Sequence, residues 1–580
     1  MHRRLILGCG LFCAALAGCG SSSDGGTGEG GGALGNRALA VQTDSGPVEG
    51  FEDDGVYSYR GIPYAAPPLG ELRWKPPIDP ASWTDTLVTT ERPNGCVQAP
   101  FNGLQIPGFI ASEDCLYLNV DTPAGGSGLP VMVWIHGGGF TLGEGVQADG
   151  GTAGDVIVRQ TGAVVVSMNY RLGQLGFLAH AELSAESAND TSGNYGLMDQ
   201  TAALEWVRDN IAAFGGDPDN VTIFGESAGA FSVCGHLVSP RSTGLFHKAI
   251  LQSGSCERPW PTLAVAEAQG GLVAEALGCS DASEGELACM RGKGDADVLA
   301  AVAPAPNFGF NPSDEEGGSW GPILDGVFFT EQASDSFESG NFNQVPIILG
   351  FTRDEARLFV WLGEIEKSAP LVVTAENYEA QIARLVGGDM SLAAEAAAEY
   401  PLDDFSEPIV ALAEVATDVI FRCPGKQEVA KLAKHVPAYL YQFEYPNGRS
   451  QLELAIQFNI LDAGLPSYGL DAFHAADVPY VFGYSPILGF DLSDGLELIL
   501  NEWDADTADQ RLWLSMLGYF ARFAATGDPN AEGATQWPSY DAASDQHLIL
   551  NDPVSVGSNA ADRCSFWADK DYLAPEIGTD

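Results

Sequence analysis

Basic residues are scarce in this 580-residue sequence, which has 28 lysines and arginines against 78 aspartates and glutamates and a formal net charge of −50. Phosphate recognition requires clustered Lys and Arg side chains, so the composition argues against a nucleic-acid partner. An acidic surface can attract cationic substrates. We favour the simpler interpretation that the acidic residues form a solvated surface.

Long apolar runs are also missing where a membrane anchor would need one. The N-terminal run, Leu5–Leu16, has twelve residues and is too short to cross a bilayer. It follows Arg3 and Arg4 and ends in small residues before Cys19, a pattern that predicts a signal peptide over residues 1–18. Small residues before a cysteine resemble the lipobox of bacterial lipoproteins, which implies cleavage before Cys19 and lipidation of its thiol. An ordinary secretory signal is the alternative.

The segment after Cys19 predicts a flexible attachment. It is rich in glycine and serine up to residue 35, and Gly20 in the second position resembles the outer-membrane sorting pattern. Strand-like and helix-like segments then alternate to the end without a linker or repeat. We therefore expect a signal at 1–18, a lipidated tether at 19–36 and a single α/β domain at 37–575. Export to the cell envelope follows, with a membrane contact only through the lipid; plain secretion is the alternative.

The cysteines lack the spacing of a metal site. The eleven cysteines include no Cys-x-x-Cys pair, and the eight histidines include no His-x-x-x-His pair, so the sequence predicts neither a metal nor a cofactor. Cys9 and Cys13 leave with the signal, and Cys19 would carry the lipid. Eight cysteines remain, an even number that suits disulfides in an oxidising compartment.

One serine lies in a pattern typical of a nucleophile elbow. Asn220–Phe224 predicts a short strand that leads into Gly225-Glu226-Ser227-Ala228-Gly229, after which a helix of small residues begins. A sharp turn between such a strand and helix holds the serine in a strained conformation with its hydroxyl exposed. Short Gly-x-Ser-x-Gly matches also occur in ordinary turns. The flanking strand and helix favour Ser227 as a nucleophile.

A second glycine-rich turn lies upstream. The buried strand predicted at Val131–Ile135 runs directly into His136-Gly137-Gly138-Gly139-Phe140. Glycines allow backbone N–H groups to approach a ligand closely, so this loop predicts an oxyanion hole. Its position before the elbow is the order that α/β-hydrolases use. A glycine turn without chemical importance is the alternative.

The base is selected by its order in the chain. In this fold the acid and then the histidine follow the serine, which leaves His435, His474 and His547. His474 lies in the polar loop Asp471–Asp477, whereas the other two are predicted to be surface histidines. We therefore predict His474 as the base.

The acid is expected after a later strand. Val345–Gly350 is nearly continuous in apolar residues, as in a buried parallel sheet, and Asp354 and Glu355 follow its carboxyl end. Sites in such sheets lie beyond the carboxyl ends of the strands. We select Glu355, although spacing alone does not distinguish it from Asp354. If Asp354 is not the acid, we expect it to be a solvated charge in the loop.

Further motifs extend along most of the chain. They are Tyr59–Ala65, Ser112–Val120, Asn169–Arg171, Phe214–Gly229, Leu251–Gly254 and Thr526–Asn530. Together they resemble the type B carboxylesterase family, which includes cholinesterases, from about residue 40 to 567. The resemblance implies an α/β-hydrolase fold with a central, mostly parallel sheet flanked by helices, and long insertions that form a gorge. It also implies hydrolysis of small-molecule carboxylic esters through an acyl-enzyme intermediate.

The resemblance assigns roles that spacing leaves open. It favours Glu355 over Asp354 as the acid and His474 as the base. The implied oxyanion donors are Gly138, Gly139 and Ala228. The implied disulfides are Cys96–Cys115, Cys279–Cys289 and Cys423–Cys564. Cys234 and Cys256 either pair with each other or stay as buried thiols.

The chain departs from cholinesterases in one loop. Residues 97–114 form a short segment without tryptophan, whereas the matching loop of cholinesterases carries a Trp that stacks on the quaternary ammonium. Choline esters are therefore not expected as the main substrate. Apolar side chains in the segment predict a gorge wall or simple loop packing. They are Phe101, Leu104, Ile106 and Phe109.

Several functions fit a chain of this kind. We expect a broad-specificity carboxylesterase. A lipase, or an esterase specialised for a polyester, a lactone or a toxin, is the nearest alternative. A non-catalytic adhesion protein of the same fold is a further one, because fold alone does not determine function. The sequence carries no signal for the oligomeric state.

Overall fold

A computed structural model of the chain describes ten ranges and one further residue. They are 38–98, 109–146, 152–283, 285–301, 320–365, 370–446, 466–491, 495–502, 507–558, 562–570 and 572. Backbone contacts group residues 36–580 into one unit. The predicted signal peptide and tether, including Cys19, lie outside the described residues.

Eighteen strands are present in the described ranges. They are β1 (Ala40–Gln42), β2 (Pro47–Glu49), β3 (Phe51–Asp53), β4 (Val56–Pro63), β5 (Leu87–Val88), β6 (Gly95–Cys96), β7 (Ala111–Ser112), β8 (Tyr117–Pro123), β9 (Leu129–Ile135), β10 (Val164–Met168), β11 (Gly216–Glu226), β12 (Lys248–Gln252), β13 (Ile347–Thr352), β14 (Ala438–Phe443), β15 (Tyr484–Asp491), β16 (Gly495–Glu502), β17 (Gln546–Leu550) and β18 (Ser555–Ser558). Eleven of them form one sheet in the order β18-β17-β14-β13-β12-β11-β9-β10-β8-β4-β3.

The helices lie between these strands. They are α1 (Asp155–Thr161), α2 (Gly173–Phe177), α3 (Ala181–Glu186), α4 (Tyr195–Asn210), α5 (Ala228–Val238), α6 (Leu263–Ala276), α7 (Glu286–Arg291), α8 (Asp295–Ala301), α9 (Ala333–Ser339), α10 (Ala356–Glu364), α11 (Tyr378–Leu385), α12 (Met390–Glu399), α13 (Pro408–Thr417), α14 (Cys423–Leu432), α15 (Val478–Phe482), α16 (Ala508–Thr526) and α17 (Cys564–Trp567). Short 3₁₀ turns cover Gly70–Leu72, Ile211–Phe214, Pro240–Ser242 and Leu402–Asp404, and one π-helical turn covers Asp418–Arg422.

The centre of the large sheet is parallel and buried on both faces. Neighbouring strands from β10 to β17 run parallel, whereas β8, β4, β3 and β18 pair antiparallel at the two edges. Side chains alternate between two apolar layers along β9, where Val133 joins one cluster and Trp134 the other. This arrangement confirms the predicted α/β-hydrolase fold class.

The three predicted site strands end at the same edge of the sheet. β9, β11 and β13 match the predicted strands. β9 pairs parallel with β11, and β12 lies between β11 and β13 and pairs parallel with both. Their carboxyl ends therefore deliver the glycine loop, the serine turn and the acid loop to one place, as open parallel sheets do for their ligands.

Four disulfides cross-link the described part of the chain. The bonds are Cys96–Cys115, Cys279–Cys289 and Cys423–Cys564, the pairs that the resemblance implies, together with Cys234–Cys256. Cys423 and Cys564 are 141 residues apart. Closing a loop of that length removes unfolded-state entropy worth on the order of 5 kcal/mol in the chain-entropy model.

The described helices contain no candidate for a membrane span. None of them combines sufficient length with sufficient apolar character to cross a bilayer.

Candidate active site

Ser227 lies in a strained turn between β11 and α5. Its backbone angles are φ 56° and ψ −124°, a conformation that residues other than glycine rarely adopt. The N–H of Ser227 donates to the carbonyl of Gln252 at 2.9 Å, and its own carbonyl accepts from the N–H of Phe231 at 2.9 Å. The turn is therefore fixed on both sides through its backbone, which leaves the side chain free of a structural task.

The two glycines of the motif allow the helix to approach the sheet. A Cβ atom on Gly229 would lie 2.0 Å from the carbonyl oxygen of Ile135, and one on Gly225 would lie 2.6 Å from the backbone of Gly229. Both distances are far below van der Waals contact. Any side chain at either position would push α5 away from β9 and move Ser227 with it.

His474 and Glu355 form a buried pair beside this turn. Nδ1 of His474 lies 2.7 Å from Oε2 of Glu355, and Oε1 of Glu355 accepts from the N–H of Thr352 at 2.7 Å. The side chain of Glu355 is fully buried. Because Nδ1 faces the carboxylate, Nε2 is the ring nitrogen left for a reacting group. Among the described residues Nε2 makes no well-aligned hydrogen bond, although a carboxylate oxygen of Glu226 lies 3.1 Å from it.

Asp354 has a different set of partners. Its carboxylate lies 2.7 Å from the guanidinium of Arg353 and 3.2 Å from that of Arg357, and it accepts from the N–H of Ala472 at 3.2 Å. The alternative of a solvated loop charge was wrong, because Asp354 is only 4% exposed. The two arginines explain how a charge can be buried there. The structure thus brings Glu355, and not Asp354, to His474.

The other candidate histidines differ from each other in burial. His435 is exposed, as predicted. The prediction of a surface histidine was wrong for His547, which is fully buried on β17 with Nδ1 3.1 Å from the carbonyl oxygen of Asp545. Burial lowers the pKa of His547. Position near the C-terminus suggested exposure, but β17 pairs on both sides and its inward-facing positions are covered.

Glu226 is a site residue to which sequence reasoning gave no role. Its Oε1 lies 3.1 Å from Nε2 of His474, and its side chain is buried. Burial raises the pKa of Glu226, and the carboxylates of Asp477 and Glu355 act in the same direction, whereas His474 opposes them and favours the ionised form. Its place next to Ser227 in the elbow motif was the available signal.

Asp477 is a further buried carboxylate whose charge acts on His474. Asp477 accepts from Nε2 of Gln252 at 3.0 Å and from the hydroxyl of Tyr441 at 2.7 Å, with no exposed surface. Burial raises its pKa. Its position three residues after His474 gave no indication of these partners, which come from β12 and β14.

The carboxylates determine the proton affinity of His474. Burial by itself would lower the pKa of the imidazole, but the Glu226 and Glu355 carboxylates outweigh it and, with Asp477, raise the pKa to about 9. The site therefore favours the imidazolium form, the state in which the ring holds a proton taken from a nucleophile.

The glycine loop after β9 lies against the serine turn. A Cβ atom on Gly137 would come within 3.1 Å of Cβ of Ser227, and one on Gly138 within 2.2 Å of the carbonyl oxygen of Leu142. Gly138 and Gly139 have φ angles of 105° and 60°. The predicted donors Gly138, Gly139 and Ala228 thus belong to two segments that meet at Ser227.

His136 anchors the base of this loop. Its ring stacks on Tyr170 with centroids 4.3 Å apart, and the Tyr170 hydroxyl donates to the His136 carbonyl at 2.8 Å. Burial lowers the pKa of His136 to about 4, so the imidazole is neutral at physiological pH. The His136 ring therefore stabilises the glycine loop by packing on Tyr170.

Two remaining predictions concern other parts of the chain. Of the apolar residues predicted for a gorge wall, Phe101, Leu104 and Ile106 lie outside the described residues, and Phe109 packs on Gly95. Within the described ranges, one group of side chains has metal-ligand spacing, namely Asp418, Cys423 and Cys564. Its two sulfurs are bonded to each other, so neither is a thiolate that could bind a metal.

Comparisons with known proteins identify the family of the chain. The family model described as "Carboxylesterase family" matches residues 37–567. The chain is 35% identical over 543 residues to "Acylcarnitine hydrolase" of Mus musculus, covering 88% of this chain and 86% of that relative. It is 34% identical over 528 residues to "Para-nitrobenzyl esterase" of Bacillus subtilis strain 168, covering 89% and 95%.

A solved structure titled "PNB ESTERASE" superimposes with a TM-score of 0.71 at 32% identity, covering 90% of this chain and 98% of that one. With the family model over most of the chain, and ester hydrolases among its relatives in both comparisons, the chain belongs to the carboxylesterase family and is a carboxylic ester hydrolase.

Proposed function

We propose that the protein is a broad-specificity carboxylesterase with Ser227 as nucleophile, His474 as general base and Glu355 as the acid that orients it. The observation that carries this proposal is the buried 2.7 Å contact between Nδ1 of His474 and Oε2 of Glu355 beside a strained serine turn. A strained nucleophile, an oriented imidazole and a fixed carboxylate are the parts that acyl transfer needs.

The first half of the cycle forms the acyl-enzyme. Oγ of Ser227 attacks the ester carbonyl carbon while its proton passes to Nε2 of His474, and the carbonyl oxygen becomes an oxyanion. The tetrahedral intermediate then collapses. Its bond to the alkoxy oxygen breaks, and the imidazolium gives its proton to the leaving alcohol.

The second half repeats these steps with water. Nε2 takes a proton from a water molecule, whose oxygen attacks the acyl carbon. Collapse of the second intermediate breaks the bond to Oγ, which regains the proton from His474, and the carboxylic acid leaves. The chain, the ester and water supply every atom of the cycle.

The N–H groups of Gly138, Gly139 and Ala228 are the proposed donors to the oxyanion. Backbone donors held in place before the reaction stabilise a developing charge without reorganisation, and loss of one such donor typically costs about 10²–10³ in kcat. The contact between the glycine loop and the serine turn supports this assignment.

Glu226 is expected to set the acid limb of the pH profile. Its carboxylate raises the pKa of His474, whose neutral form is needed for attack, so kcat/KM falls as pH drops through that raised pKa. Glu226→Gln removes the charge, lowers the pKa of His474 and should move the acid limb of kcat/KM to lower pH. Glu338→Gln, an exposed carboxylate paired with Lys434, is the matched control. An unmoved limb in Glu226→Gln would contradict this role.

A chain-length series tests the substrate class. We expect p-nitrophenyl esters from acetyl to palmitoyl to be hydrolysed with kcat/KM highest for the short acyl chains. A maximum at palmitoyl that depends on a lipid interface would indicate a lipase instead. No turnover of any ester by folded protein, with no organophosphate labelling of Ser227, would favour the adhesion-type alternative.

We also propose that the chain is exported and held to the cell envelope through a lipidated Cys19. The support is the sequence before Cys19 and the glycine-serine segment after it. Each methylene of an acyl chain buried in the bilayer contributes about 0.8 kcal/mol, so several chains give stable attachment.

Fractionation of cells tests this location. Wild-type activity should partition with membranes, and Cys19→Ser should release active protein or block processing of the precursor. Cys13→Ser, inside the predicted signal, is the matched control and should leave the distribution unchanged. A soluble wild-type enzyme whose mature N-terminus is not Cys19 would identify a plain secretory signal.

A further inference from the structure

A single π-helical turn interrupts a long helical segment near the active site. Helix α13 ends at Thr417, the turn covers Asp418–Arg422, and α14 begins at Cys423. A π-helical turn has hydrogen bonds between residues five apart, whereas those of an α-helix join residues four apart. Such turns are rare, and they occur frequently at functional sites. The extra residue in such a turn rotates the side chains that follow it about the helix axis.

The turn directs Phe421 onto the imidazole of His474. The ring centroids of Phe421 and His474 are 4.9 Å apart, and Phe359 of α10 lies 4.8 Å from the same imidazole. The two phenyl rings are stacked 5.8 Å apart with an interplanar angle of 5°. Both are buried, so His474 has an aromatic wall built from two separate helices.

The turn and the residue before it, Thr417, are hydrogen-bonded to the segment that carries Glu355. The guanidinium of Arg422 donates to the carbonyl of Arg353 at 2.7 Å, and the N–H of Ala356 donates to Oγ1 of Thr417 at 3.1 Å. These two bonds lie on either side of Glu355. The position of Phe421 is therefore tied to the position of the acid.

Buried charges hold the turn in its π-helical form. Oδ1 of Asp418 accepts from Arg422 at 2.5 Å, and Oδ2 accepts from the hydroxyl of Tyr400 at 2.6 Å. The next residue, Cys423, is disulfide-bonded to Cys564. A turn with so many partners has little freedom to relax into a regular α-helix, which would rotate Phe421 away from His474.

We propose that Phe421 is a positioning residue for the base, an inference that rests on the proposed function. Among the described residues the imidazole makes one hydrogen bond, at Nδ1, and that bond by itself permits the ring to tilt. Nε2 also lies 3.1 Å from the Glu226 carboxylate, which attracts an imidazolium. The Phe421 ring restricts the tilt, keeps water from the ring and holds Nε2 available to Ser227.

Steady-state kinetics of Phe421→Leu test the proposal. We expect kcat to fall on the order of tenfold with KM changed by less than about twofold, since small misplacements of reacting groups reduce the chemical step and not ground-state binding. The matched control is Phe337→Leu. Phe337 is also a buried phenyl with an aromatic neighbour, Phe342 at 5.5 Å, and it has no contact with His474 among the described residues. It should lose thermal stability but keep kcat.

Two further readouts separate positioning from a loss of stability. The downfield proton resonance of the His474–Glu355 hydrogen bond should broaden or shift in Phe421→Leu and persist in Phe337→Leu. Phe421→Ala should also move the acid limb of kcat/KM to lower pH. Admitted water screens the Glu226, Glu355 and Asp477 carboxylates, which together outweigh the effect of burial, so the pKa of His474 should move back toward its ordinary value.

Phe359→Leu is an independent variant that removes the α10 side of the aromatic wall. It provides the test if the Phe421 variants do not fold. Unchanged kcat, acid limb and downfield resonance in folded variants at either position would overturn the proposal. Organophosphate labelling tests the proposed function separately. Labelling at Ser227 with unaffected Phe421 variants would refute only the positioning role, whereas labelling elsewhere would refute the nucleophile itself.

Discussion

Ser227→Ala is expected to reduce kcat by about 10⁶-fold, in line with the removal of the nucleophile from other serine hydrolases. The substitution deletes only Oγ. The backbone bonds of residue 227 to Gln252 and Phe231 remain, so the strained turn and the helix after it should persist. The variant should keep the circular dichroism spectrum and melting temperature of the wild type.

Ser239→Ala is the matched control for this experiment. Ser239 is buried at the other end of α5, and its hydroxyl donates to the carbonyl of Phe328 at 2.9 Å. Its loss should cost stability and leave turnover intact. An organophosphate should label Ser227 in the wild type. Turnover that survives in Ser227→Ala, or labelling of another serine, would show that the elbow has been assigned wrongly.

His474→Ala is expected to lower kcat by about 10³-fold or more, because Oγ then has no base to take its proton. Glu355→Gln should be somewhat milder, since it keeps the shape of the acid but weakens control of the imidazole tautomer. Asp354→Asn is the matched control: a neighbouring buried carboxylate, paired with Arg353 and Arg357 instead of with His474. It should keep activity near the wild-type value while losing stability.

The relative loss of activity in Asp354→Asn and Glu355→Gln shows which of the two carboxylates is the catalytic acid. Loss of activity in Asp354→Asn with activity retained in Glu355→Gln would reverse the choice of acid. Both proteins should be compared by kcat/KM at several pH values, because a change confined to the acid limb would indicate an altered pKa of His474 and not loss of the base.

Local sequence predicted the elements that deliver the site. The segment before Ser227 is rich in β-branched and aromatic residues, which favour a strand, and the segment after it begins with small residues, which suit the start of a helix. These local preferences are realised in β11 and α5. The apolar run before Glu355 likewise became β13. Parallel strands with connecting helices then place their carboxyl ends at one edge, so the common location of the three loops follows from the fold class.

The contacts around His474 depend on distant segments and were not predicted. Glu226 was known only as part of a motif, and Asp477 only as a neighbour in sequence. Phe421 depends on one extra residue in a helical turn, which no periodic pattern shows. The burial of Asp354 and His547 was predicted wrongly, since it arises from two arginines in one case and from strand pairing in the other.

The Cys423–Cys564 disulfide has a consequence for the timing of maturation. The ribosome makes the chain from its N-terminus, so Ser227 and Cys423 are both synthesised long before Cys564. The turn that carries Phe421 gains its covalent partner only after a further 141 residues have been added and an oxidant has acted. The π-helical turn beside the base is thus cross-linked only after Cys564 has been made, and a chain that stops short of Cys564 would contain Ser227 but lack this disulfide.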